Sequence, residues 1–115
     1  MRSSLQAKAL RAAGPDARRP VEHHSRGRAS PRGLYQCHVY FEKEDRLGAA
    51  ALRDRVIGEP DCIVDISPLI FERVGPHTMP MFEIDIEPAS VDAAVAWLDA
   101  NRGGFSVLVH PVPED

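Results

Sequence analysis

Residues 34–42 read LYQCHVYFE. Tyr35, Cys37, Val39 and Phe41 alternate with Gln36, His38 and Tyr40, and successive side chains of a strand point to opposite faces. Aromatic and β-branched residues suit that geometry. The stretch therefore predicts a half-buried strand, with one apolar face and one polar face. Its neighbours decide what fold the strand belongs to.

Residues 43–57, KEDRLGAAALRDRVI, predict a helix: good helix formers, with acids in the first turn where the helix dipole favours them. Its expected apolar stripe is Leu47, Ala50, Ala51 and Val56 or Ile57, with Gly58 as the glycine just past the end and Pro60 beyond. Residues 62–66 predict a second strand. Pro68 interrupts it, with a bulged or edge continuation at 69–72, and a proline there marks an edge position. After the loop RVGPHTMP (73–80), residues 81–86, MFEIDI, alternate again: Phe82, Ile84 and Ile86 inward, Met81, Glu83 and Asp85 outward. A second helix follows over 88–102, begun by Pro88 or an N-cap Ser90. Its stripe is Val91, Ala94, Val95 and Leu98, and Gly103–Gly104 stop it. Residues 105–110, FSVLVH, predict the last strand.

The order βαββαβ is that of the ferredoxin-like split βαβ unit. It predicts an α+β domain over 34–111: an antiparallel four-stranded sheet with two helices on one face. Residues 112–115 are a short C-terminal end. Residues 1–33 carry eight basic side chains against two acids, +6, whereas 34–115 hold six bases and fifteen acids, −9. The first part predicts a basic, disordered tail; a translated extension and a transit-type segment are alternative readings of it. The acidic domain repels phosphate backbones, so nucleic acid is not an expected partner. No apolar run approaches the ~20 residues needed to span a bilayer, so no membrane is expected, and a cytoplasmic location is. Cys37 and Cys62 have no zinc-site spacing and predict free thiols.

Parity sets Gln36, His38, Tyr40, Glu83, Asp85, Ser106 and His110 on the face away from the helices, with His77 just ahead of the third strand. One reading is a set of ordinary polar residues on a solvated face. The other is a metal centre, since imidazoles with a carboxylate suit iron, and two histidines with one carboxylate form the non-haem Fe(II) pattern. An open face that also holds Tyr40, Met81 and Leu108 predicts a covering second copy, a homodimer with a cleft.

Three segments in series carry a resemblance: His38-Val39-Tyr40-Phe41; Gly75-Pro76-His77 followed by Pro80-Met81-Phe82; and Trp97-Leu98 leading to Asn101-Arg102-Gly103 and then Ser106–Pro111. Over residues 34–111 the chain resembles the DOPA 4,5-dioxygenase family. The resemblance implies extradiol cleavage of a catechol such as L-DOPA with O₂ and non-haem Fe(II). It implies His38, His77 and His110 as iron ligands or acid/base groups. Tyr40 is then a candidate for hydrogen bonding substrate, with cleft packing as the alternative, and Arg102 for pairing with a substrate carboxylate, with capping of the helix C-terminus as the alternative. The sequence departs from the family at Gln36, where a second histidine is usual, and it ends at Asp115, where family chains usually continue. These departures keep an alternative open: a non-catalytic or decayed relative, acting as a dimeric small-molecule or metal-binding module.

Overall fold

The structure, a computed structural model, describes residues 8–11, 31–72 and 78–114. Its elements in chain order are β1 (Lys8–Arg11), β2 (Tyr35–Tyr40), α1 (Arg46–Gly58), β3 (Ile63–Ile66), β4 (Met81–Ile86), α2 (Val91–Asn101) and β5 (Ser106–Pro111). All strands pair antiparallel to their neighbours in the order β1-β5-β2-β4-β3. The last four strands of that order are the expected ferredoxin-like sheet, with β2 at its centre.

β1 is an addition. Lys8–Arg11 was expected to lie in a disordered tail, yet its backbone pairs with β5 from Lys8↔Val109 to Arg11↔Ser106. The ladder needs only backbone N–H and C=O groups, which charged residues do not remove. The other residues of 1–30 lie outside the described set.

The register fixes the two faces. Cys37 pairs with Ile84 and Val109, and Val39 with Phe82 and Val107, so these side chains share one face. They form a single core cluster with Ala49, Leu52 and Val56 of α1 and Val91, Ala94, Val95 and Leu98 of α2. Both helices therefore cover the same side. Arg55 of α1 lies over the Trp97 ring of α2 and donates to Asn101 Oδ1, which ties the two helices side by side.

α2 buries the expected stripe. Ser90 stands at its N-cap, but its side chain makes no capping bond. Gly103 stops the helix with φ +66°, a left-handed conformation that suits glycine. α1 differs from expectation. A 3₁₀ turn over Lys43–Asp45 delays its start to Arg46, and Leu47 is 79% exposed, while Ala49, Leu52 and Val56 face the core. Leu47 and Val56 are nine positions apart, about half a turn out of phase at ~3.6 residues per turn, so they cannot share a stripe. Gly58 is the last helical residue and has no positive φ.

β3 is an edge strand, as the proline predicted. Pairing stops at Pro68 and resumes at Ile70, which exchanges both backbone bonds with Met81, N–H to O at 2.8 and 3.0 Å. Across the gap, Ser67 Oγ accepts the Glu83 N–H at 2.8 Å. Arg53 Nε donates to the Ser67 carbonyl at 2.7 Å and so ties α1 to this irregular edge.

Candidate metal centre on the second sheet face

The other face of the same strands carries Gln36, His38 and Tyr40 of β2, Met81, Glu83 and Asp85 of β4, and Ser106, Leu108 and His110 of β5. The face is not bare. Within the single chain His38 is 2% exposed, Met81 1% and Asp85 0%. Of the three residues behind the expected dimer, Met81 is buried within the single chain, while Tyr40 and Leu108 are half-buried.

His110 stands directly opposite Gln36, and His38 directly opposite Leu108, so the two histidines are diagonal neighbours on β2 and β5. Their rings lean toward each other. Nε2 of His38 lies 2.9 Å from Nε2 of His110, with the ring planes 11° apart and the centroids 5.0 Å apart. The centroids are much farther apart than the nitrogens, so the rings meet edge to edge through nitrogen rather than face to face.

The other ring nitrogens are also engaged. His110 Nδ1 lies 2.9 Å from the Pro111 carbonyl, which can only accept, so this nitrogen carries the hydrogen. His38 Nδ1 faces Met81 Sδ at 3.3 Å and Glu83 Oε2 at 3.8 Å, again acceptors only. With the His110 hydrogen on Nδ1, its Nε2 is bare: either His38 donates an Nε2–H to it in a neutral hydrogen bond, or, with the His38 hydrogen on Nδ1 as well, the two lone pairs hold a cation between them. In the second arrangement His38 and His110 would hold a metal ion through Nε2, a donor type that suits iron. Ligating histidines characteristically give their other N–H to a carbonyl or carboxylate, as His110 does to the Pro111 carbonyl.

Glu83 is therefore placed behind His38, on its Nδ1 side, rather than beside it as a ligand. Among the described residues no three His, Cys, Asp or Glu side chains are grouped to hold a metal. His77, the third histidine singled out by the sequence, lies in 73–77, outside the described residues.

Tyr40 flanks His38, ring centroids 6.1 Å apart. Burial first, and then the Glu83 carboxylate, push its phenol above the ordinary value, so it is a hydrogen-bond donor at neutral pH. Gln36 Nε2 donates to Asp85 Oδ1 at 2.9 Å, so its amide is committed to a buried carboxylate beside the histidine pair.

Arg102 is not brought into this group. Its Nε and NH2 reach Asp99 Oδ1 at 3.1 and 3.0 Å, and its NH1 donates to the Phe105 carbonyl at 3.1 Å, clasping the end of α2. The sequence reading missed Met81 as a neighbour of His38. Parity had placed it on the right face, but only the β2–β4 register brings its sulfur to the ring.

The fold and this face together define a class: ferredoxin-like α+β proteins with a histidine pair on the sheet surface opposite the helices. The chain belongs to the Dopa 4,5-dioxygenase family, whose model matches residues 35–115. A Botryotinia fuckeliana protein described only as an uncharacterized 21.2 kDa protein is 36% identical over 85 residues, covering 70% of this chain and 45% of that one. The chain thus spans under half the length of that curated relative. A crystal structure of a "putative dioxygenase" from Nostoc punctiforme is similar in fold, with TM-score 0.65 and 29% identity, covering 74% of this chain and 72% of that chain. β1 lies ahead of the family match. No helix among the described residues is long and apolar enough to cross a membrane.

Proposed function

We propose that the protein is a non-haem ferrous-iron dioxygenase that opens the ring of a catechol such as L-DOPA by extradiol cleavage. The observation that carries the reading is the pair of Nε2 atoms 2.9 Å apart, each backed by an acceptor at its own Nδ1. Family membership and the Nostoc punctiforme structure support dioxygenase-like chemistry in general; the iron, the catechol and the position of cleavage belong to this proposal.

His38 and His110 would hold the ion through Nε2, and His77 is the third ligand or acid/base group that the family resemblance suggests. Bound ferrous iron would supply open positions for both catechol oxygens and for O₂. The residues around it have their own tasks. Tyr40, kept protonated, donates a hydrogen bond to an oxygen of the bound catechol. Glu83, beside His38 Nδ1, adds negative charge behind the ring that would hold the ion. Arg102 has no part in this reading, because its guanidinium is engaged with Asp99 and the Phe105 carbonyl. A homodimer remains part of the proposal, and light scattering tests it separately.

A second reading is favoured by one residue. Gln36 occupies a position where the family usually has histidine, and glutamine neither gives nor takes a proton near neutral pH. A relative that binds metal without turnover would fit. Anaerobic loading with Fe(II), then L-DOPA, then O₂ separates the two. Retained iron and a yellow ring-opened product support the dioxygenase, and retained iron without product supports the binding module. A chain that keeps no iron and forms no colour overturns both.

A further inference from the structure

His38 has two neighbours at the nitrogen that faces away from His110. Met81 Sδ lies 3.3 Å from Nδ1, within reach of a hydrogen bond to sulfur, and the side chain is buried. Glu83 Oε2 lies at 3.8 Å, beyond the ~3.2 Å limit for a good N–H···O bond. Met81 is also the more buried of the two, at 1% exposure against 17% for the Glu83 side chain. It opens β4 opposite Tyr40, and its backbone exchanges two hydrogen bonds with Ile70 across the resumed edge pairing.

We infer that Met81 is a positioning residue for His38: its thioether accepts the Nδ1–H hydrogen, sets the tautomer and rotation of the ring, and so presents Nε2 bare toward His110. A thioether sulfur accepts hydrogen bonds and cannot donate one. It therefore selects one tautomer without adding charge to the site, which a carboxylate at the same place would do. The glutamate behind it balances charge, and the sulfur sets direction. The effect on metal binding rests on the metal reading of this site; the tautomer does not.

Met81→Leu keeps the volume and removes the acceptor. Nitrogen-15 spectra of histidine-labelled, metal-free protein should show His38 with its hydrogen on Nδ1, and the Nε2–H form should grow in Met81→Leu. Cobalt(II), followed by its visible absorption, should bind about tenfold more weakly to the variant, with the thermal midpoint little changed. Wild-type His38 found as the Nε2–H tautomer would overturn the inference. So would a Met81→Leu variant whose spectra and cobalt affinity match wild type. Should the variant not fold, the wild-type spectrum alone decides. Should the wild type take up no cobalt, the metal reading falls, and the tautomer still decides the role of Met81.

Discussion

β2 shows two chemistries back to back. Val39 faces the helices at 0% exposure, and His38, the next residue, faces away at 2%. Burial is the same and its consequences are not. Val39 gains from leaving water and needs no particular partner. His38 must find a partner for each ring nitrogen, and it does: Met81 and Glu83 on one side, His110 on the other. One face of the strand thus supplies stability by volume, and the other holds a set of directed contacts.

Four substitutions or titrations separate these roles. The largest effect is expected at His38→Ala, which should abolish retention of ferrous iron, measured as iron per chain after dialysis; wild-type retention would remove His38 from the centre. On the helix side, Phe82→Ala should cost about 3–5 kcal/mol of stability by emptying a fully buried ring, read from urea unfolding. A loss below ~1 kcal/mol would mean that the two faces are not divided as described. The third test uses Cys37, whose thiol is pushed up from 9.0 to about 12 by burial, then by Asp85 and Cys62. The neutral thiol is the form the fold favours. Its stabilising contribution is therefore complete below the unfolded value and is lost as pH rises from 9.0 toward about 12. Cys37→Ala should flatten that alkaline decline in urea midpoint; an identical decline in both proteins would contradict it. Smallest of all, Leu47→Glu should change stability by no more than about 0.5 kcal/mol, because the side chain stands in solvent.

Much of this division was legible in the sequence. Period-two alternation over 34–42, 81–86 and 105–110 separated the two faces residue by residue, because a strand has no other way to dispose its side chains. α2 was equally legible, since Val91, Ala94, Val95 and Leu98 form one stripe. α1 was not. Its long apolar side chains are few, so the prominent Leu47 was placed in a stripe whose Ala51 and Val56 are buried while Leu47 itself stands in solvent, and a 3₁₀ turn over Lys43–Asp45 moved the start. The candidate centre was legible as a face and not as a geometry. Parity brings His38 and His110 to one side, but their 2.9 Å contact depends on a diagonal register and on two rings leaning along their strands. The position of Arg102 was readable only as an alternative, because an arginine at a helix end can clasp that end as readily as it can reach a ligand. β1 left no signal at all, since KALR has neither alternation nor a β-rich composition.

β1 also bears on the order of folding. With β2 and β5 already paired, seating β1 against β5 closes the segment between Arg11 and Tyr35. The entropy of that closure has to be met by one four-residue ladder, whereas β2, β4 and β5 gain a shared core as they pair. β1 is therefore expected to dock last and to open first. The inner ladder amides of β2 should keep their protection against hydrogen exchange long after the β5 amides facing β1 have lost theirs.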